Sequence, residues 1–301
     1  MTTFKKFTYA AEEQVHIVFH TNFELNDYTS EKPLLIFNSG LVCSHHHWDF
    51  QLPYFTKNYQ ILYYDYRGHF LSSGRDQIER ITIQQLATDI SNLIQHYQFG
   101  NIVMLGHSMG SNVTMEVARY NPSFLKGIVL ISGTVISTRD VMLNSNIMDL
   151  ATPFLEDLNQ AFPKIFTSFW KKSHLNPLAK KIIHMGGFNT KKVDTQFIEV
   201  YLQKVGELSP DLFFQLFNSL SNHEIIQHLE SIQCPALVVS GDDDQVIPPY
   251  IQKLTAKMIP HSQYYSICDG SHVPQVDFPD LINERMELFI QQLNSIAQSM
   301  A

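Results

Sequence analysis

Short apolar runs and segments of helical periodicity take turns along this chain, and that alternation limits its folding options more than any other feature. Residues 15–20, 34–37 and 61–64 are β-branched, aliphatic and aromatic stretches bounded by turn residues, the composition of strands buried on one or both faces. In residues 83–94, Ile83, Leu86, Ala87, Ile90, Leu93 and Ile94 trace one helical face. Residues 101–105 read as a strand, 109–120 as a helix stopped by Asn121 and Pro122, and 127–131 as a strand again. The implied architecture is α/β, a mostly parallel central sheet flanked by helices.

The rhythm breaks at Ser132-Gly133-Thr134. Residues 135–228 hold helical patterns, loops and many aromatics but no strand-like run. Alternation then resumes with residues 236–240, a helix over 249–258, a strand at 264–267 and an amphipathic helix over 278–297. One interrupted sheet accounts for the 301 residues better than two tandem domains, because the flanking segments complete a single βα pattern. The expectation is a core of residues 1–134 and 229–301, with residues 135–228 inserted as a helical cap or lid. No internal repeat is visible.

Composition excludes several classes. With 44% hydrophobic and 17% charged residues the chain is neither disordered nor collagen-like. A net charge of −8 favours neither nucleic acid nor an anionic membrane surface as partner, and the separated lysine pairs, such as Lys171-Lys172 and Lys180-Lys181, read as solvated surface. Three cysteines at unrelated spacings, with no CxxC, suggest neither a disulfide framework nor a zinc site, and point to a reducing compartment. There is no apolar run of ~20 residues and no leader-like pattern behind Lys5-Lys6, so the expectation is a cytoplasmic protein without an integral membrane segment.

Gly106-His107-Ser108-Met109-Gly110 lies between the strand 101–105 and the helix that follows. In G-x-S-x-G the chain reverses so sharply that Ser108 projects from the tip, and side chains at 106 and 110 would collide with the turn. Alone the pattern is weak. Its position puts the hydroxyl at the carboxyl end of the strands, where open α/β sheets bind ligands. A serine hydroxyl is a poor nucleophile at neutral pH, so it needs a histidine base and an orienting carboxylate. After the strand 236–240 comes Gly241-Asp242-Asp243-Asp244-Gln245-Val246-Ile247-Pro248, and after 264–267 comes Asp269-Gly270-Ser271-His272. Both loops fall on the same edge of the sheet as Ser108.

With these residues in hand, the sequence resembles the α/β-hydrolase family over nearly its whole length outside the cap. The family's elbow matches Gly106 to Gly110, its acid loop Gly241, Asp244 and Pro248, its histidine loop His272, and its D-x-R-G-H turn Asp65-Tyr66-Arg67-Gly68-His69. The resemblance implies a triad of Ser108, Asp244 and His272, with an oxyanion hole made by the backbone N–H groups of Leu41 and Met109. The sequence departs from the family at Ser39-Gly40, where a His-Gly is usual, and at Phe70, where a glycine is common. The activity so implied is that of a cofactor-independent serine hydrolase cleaving a carboxylic ester, thioester or lactone with an apolar acyl group through an acyl-enzyme intermediate. C–C bond hydrolase, lyase or perhydrolase chemistry would use the same triad, and a non-catalytic ligand-binding member would keep the fold alone.

Other chemistry-bearing residues have plainer readings. Asp242 to Asp244 lack the ligand spacing of a calcium loop, and His45-His46-His47 point in different directions, so no metal site is expected. The three histidines read as a polar loop beside the oxyanion donors, His107 as a neighbour packed under the elbow, Cys43 as structural, and Asp65 and Arg67 as loop braces. Asp140 is the alternative acid. Cap residues Met142, Met148, Phe154, Leu155, Leu158, Phe162, Phe166, Phe169 and Trp170, then Phe188, Phe197, Tyr201, Phe213, Phe214 and Phe217, read as the cap's own core and its seat on the sheet, with a minority lining a pocket. No P-loop or dinucleotide fingerprint occurs.

Overall fold

The computed structural model describes residues 3–142, 147–177, 180–181, 187–189 and 191–300, so positions 143–146, 178–179, 182–186 and 190 of the expected cap lie outside the description. Eight strands, β1 (Lys5–Glu12), β2 (Val15–Thr21), β3 (Leu34–Asn38), β4 (Gln60–Tyr64), β5 (Ile102–His107), β6 (Leu125–Ile131), β7 (Ala236–Gly241) and β8 (Ser262–Ile267), form one sheet in the order β1-β2-β4-β3-β5-β6-β7-β8. β1 and β2 run antiparallel to their neighbours and the other six strands are parallel. The sequence reading of a mostly parallel sheet describes this arrangement, though it did not anticipate β1.

The central strands are apolar throughout because both of their faces are covered. In β3, Leu34 and Ile36 pack into one layer while Leu35 and Phe37 pack into the other. The first layer receives α2 (Ile83–His96) and α3 (Met109–Ala118), and the second receives α1 (Leu52–Phe55) and α11 (Pro279–Met300). Helix α2 starts at Thr82, whose Oγ1 accepts a hydrogen bond from the Gln85 N–H at 3.1 Å, and its buried stripe is the one the 83–94 periodicity predicts.

Between β6 and β7 the described residues contain no strand. They form α4 (Thr138–Val141), α5 (Ile147–Ala161), α6 (Pro163–Lys171), α7 (Thr195–Glu207) and α8 (Pro210–Ser221). Beyond β7 the chain adds α9 (Pro249–Met258), β8, the short α10 (Pro274–Asp277) and α11. No helix among the described residues is long and apolar enough to cross a membrane.

Two features of the backbone set up the edge where the strands end. Ser108 stands between β5 and α3 at φ 53° and ψ −122°, a conformation L-residues rarely adopt. A Cβ at Gly106 would lie 2.4 Å from the Gly110 carbonyl oxygen, and one at Gly110 would lie 2.1 Å from the Asn38 carbonyl oxygen. Both positions therefore exclude any side chain. Nearby, the buried Arg67 guanidinium grips Asp89 on α2 through two bonds of 2.6 Å and reaches Glu12 of β1 at 3.0 Å. That clamp joins the turn after β4 to a helix and to the sheet margin, which is the bracing role expected of Arg67.

Two stability measurements follow from this packing. Gly110→Ala should lower unfolding free energy by about 3 kcal/mol, as the backbone must retreat from Asn38, whereas Gly100→Ala, whose added Cβ meets nothing within 4 Å, should stay within about 0.5 kcal/mol of wild type. Arg67→Leu, which strands Asp89 as a buried charge, should cost about 3 kcal/mol in the same urea titration.

Candidate active site

Three loops at the carboxyl ends of β5, β7 and β8 converge on Ser108. The Ser108 N–H donates to the Ile131 carbonyl at 2.8 Å, which fixes the elbow to β6. Its hydroxyl lies 3.0 Å from Nε2 of His272, in the loop after β8. On the far side of that ring, Nδ1 lies 3.0 and 3.1 Å from the two carboxylate oxygens of Asp244, in the loop after β7. A carboxylate only accepts, so Nδ1 carries the proton and Nε2 is left to accept from the serine hydroxyl.

Asp244 is buried, and its Oδ1 also accepts the N–H groups of Val246 and Ile247, each at 2.9 Å. Asp242 and Asp243 are exposed, and Asp140 is exposed on α4. Of the four acids raised from sequence, Asp244 alone meets the imidazole. The two loops touch backbone to backbone, since a Cβ on Gly241 would lie 2.2 Å from the Gly270 carbonyl oxygen. Asp277 of α10 steadies the His272 loop by accepting the Ser271 N–H at 2.6 Å, and burial raises its carboxyl above the usual range.

His107 is packed under the turn, as its sequence position suggested. Its Nε2 donates to the His272 carbonyl at 2.9 Å, and burial holds its ring well below the usual imidazole range. Cys43 is buried and its thiol is pushed up to about 12 by desolvation, so it is not a thiolate near neutral pH.

Leu41 and Met109 line the same cavity as Ser108. Met109 opens α3, and its N–H is one of the first four of the helix that have no intrahelical acceptor. The segment before Leu41 has supports that sequence reasoning missed. Asn38 donates through Nδ2 to Thr114 at 2.8 Å and accepts from the Tyr64 hydroxyl at 2.7 Å, while the Tyr66 hydroxyl donates to the Ser39 carbonyl at 3.0 Å. Tyr66 sits inside the D-x-R-G-H turn, so its motif was visible though its contact was not.

The histidine run, read as a polar loop, forms a short 3-10 turn, His45–Trp48, within the connection after β3, and its His47 and Trp48 are buried. Its rings diverge: His45 faces Tyr63, His46 stacks on Phe197 at 4.0 Å, and His47 is buried beside Phe188 and Tyr201 in the cavity wall. Desolvation lowers the His47 imidazole to about 3, which keeps it neutral. Trp48 is fully buried at the end of that turn. Among the described residues no cluster of His, Cys, Asp or Glu is placed to hold a metal.

The cavity beside Ser108 has a volume of about 280 Å³. One wall comes from the sheet edge through Leu41, Met109 and Val273, and the other from the inserted helices through Met142, Phe188, Tyr201, Phe213 and Phe217. A neutral, largely apolar chamber with one polar corner is what this arrangement offers a ligand.

Comparison with known proteins agrees with this fold. The chain is 24% identical over 272 residues to 3-oxoadipate enol-lactonase 2 of Acinetobacter baylyi, covering 88% of this chain and 91% of that one. It is 24% identical to a bifunctional esterase/perhydrolase of Acinetobacter calcoaceticus, over 87% of this chain and 92% of the relative. Among solved structures, a thermophilic esterase from Thermogutta terrifontis superimposes with a TM-score of 0.74 at 20% identity, covering 97% of this chain and 99% of the other. Residues 33–279 match the family described as alpha/beta hydrolase fold, and with the sheet order and elbow described above, the chain belongs to that family.

Proposed function

We propose that this hydrolase works through Ser108 as nucleophile and cleaves carboxylic esters with an apolar acyl group, thioesters and lactones being close variants. The observation that carries the reading is the unbroken hydrogen-bond path from Ser108 Oγ through His272 to Asp244, opening onto an apolar cavity. His272 would take the serine proton as Oγ attacks the carbonyl carbon, and return a proton to the leaving alcohol as the carbon–oxygen bond breaks. Asp244 would hold the ring in the Nδ1–H tautomer and stabilise the imidazolium. The N–H groups of Leu41 and Met109 would receive the oxyanion, each worth about 3 kcal/mol in sites of this type. Water activated by the same imidazole would then release the acid and regenerate Ser108.

Residues 135–228 would act as the cap, since their aromatic side chains close the cavity opposite the sheet edge. No step calls for a cofactor. The free state of Cys43, Cys234 and Cys268 suits a reducing, cytoplasmic setting. The lactonase and esterase/perhydrolase relatives favour keeping lactone hydrolysis and perhydrolysis as the alternatives, because both would pass through the same serine.

A graded series of p-nitrophenyl acyl esters, assayed with a simple lactone alongside, tests the reading. Ser108→Ala should abolish turnover above background, and Asp244→Asn should cut kcat by about 10⁴ through loss of the required tautomer. Wild-type turnover retained by Ser108→Ala would remove the serine mechanism, and retained turnover in Asp244→Asn would remove Asp244 from its role.

A further inference from the structure

Over residues 151–161, α5 turns polar side chains toward its neighbour α8. Its contacts with α8 are polar: Glu156 accepts from Asn218 at 2.8 Å and Asn159 donates to Asp211 at 2.6 Å, with Thr152 and Asn159 buried. Phe154 and Leu158, one turn apart, face solvent instead, Phe154 at 67% exposure. The stripe continues through Phe162, at the junction of α5 and α6, to Ile165 and Phe169, again one turn apart, and Phe169 is 74% exposed. The opposite side of α6 is satisfied within the protein. Phe166 packs near Phe214, Trp170 lies 5.3 Å from Phe213, and the Trp170 indole donates to the Leu208 carbonyl at 3.0 Å. An amphipathic helix normally buries its apolar face, so five large apolar side chains on the outer surface of two successive helices need a partner of their own.

Charge identifies that partner. On and just after α6 stand Lys164, Lys171 and Lys172 with no acidic residue among residues 158–193, while the acids of α5, Asp149, Glu156 and Asp157, all precede the second half of the stripe. Lys164, Lys171 and Lys172 are exposed on or just after α6 and make no ion pair among the described residues. Lys172 stands seven residues from Ile165, on the same helical face, while Lys164 and Lys171 flank it. Asp157 is the exposed acid beside the stripe. An apolar ridge edged by lysines matches a surface of hydrocarbon under anionic headgroups.

We propose that the outer face of α5 and α6 docks on a bilayer rich in anionic phospholipid, with Phe154, Leu158, Phe162, Ile165 and Phe169 entering the headgroup boundary and Lys164, Lys171 and Lys172 meeting the phosphates. The whole-chain charge conceals this patch, to which the exposed pair Lys171-Lys172 belongs. The proposal is independent of the catalytic one. It places a lipid surface against helices whose inner neighbours, through Phe213, wall the cavity beside Ser108.

Sedimentation of the full chain with large unilamellar vesicles tests the docking. Wild type should pellet with an equimolar mixture of phosphatidylcholine and phosphatidylglycerol and remain largely in solution with phosphatidylcholine alone. The combined variant Phe154→Ser, Phe162→Ser, Phe169→Ser should lower the bound-to-free ratio by about tenfold, as should Lys164→Gln, Lys171→Gln, Lys172→Gln, whose residual binding should no longer respond to salt. Both variants should keep the wild-type melting temperature and near-ultraviolet circular dichroism, because the substituted side chains are exposed. Wild-type protein left in the supernatant with the mixed vesicles overturns the proposal, as does undiminished binding by either folded variant. A concentration-dependent dimer abolished by the phenylalanine substitutions would assign the face to a second copy and overturn it equally.

Discussion

The start of α3 presses against the end of β3 with no room for a side chain between them, and the rest of the site depends on that approach. Position 110 must be glycine for the helix backbone to reach the Asn38 carbonyl, and position 106 must be glycine for the chain to fold back over itself. Ser108, left at the apex, is driven to φ 53°. Such strain persists only where its surroundings over-determine it. Here the Ser108 N–H is held by β6, while Asn38, the residue pressed upon, is tied sideways to Thr114 of α3 and to Tyr64 of β4. The contact that forces the serine outward also fixes the loop that carries Leu41.

The Asp244 and His272 loops use the same device further along the sheet, after β7 and β8. Gly241 and Gly270 let the two backbones touch, and the Asp243 N–H donates to the Gly270 carbonyl at 2.9 Å. The buried Asp244 carboxylate then meets two backbone N–H groups and an imidazole N–H instead of water. His107 adds a link between the two halves. By donating to the His272 carbonyl it connects the residue beside the serine to the backbone of the ring the serine meets.

Much of this was legible in the sequence where one local signal carried the information. Strands buried on both faces announce themselves as continuous apolar runs, and β3 through β7 were readable on that ground. β1 was not: only Phe7, Tyr9 and Ala11 pack inward, between lysines and threonine, and a period-2 alternation that begins with Lys5-Lys6 is easily taken for a polar terminus. β8 was read two residues short because it opens on Ser262 and Gln263. The loops that carry Ser108, Asp244 and His272 could be placed because each follows a strand, and it was the family resemblance that singled out Asp244 among three consecutive acids. The supports of the Ser39 loop could not be placed, since Tyr64, Tyr66 and Thr114 reach it from separate elements and share no motif. The exposed face of α5 and α6 was missed for another reason: helical spacing shows that apolar residues share a side of a helix but not whether that side turns inward.

Chain order has a consequence of its own. Ser108 precedes the inserted helices, whereas Asp244 and His272 follow them. The elbow and its loop are built on β3, β5 and β6, all of which precede the insertion, whereas the imidazole that meets the Ser108 hydroxyl arrives with the loop after β8. The insertion joins β6 to β7, strands that pair directly with each other, so a change in its length need not alter the register on either side.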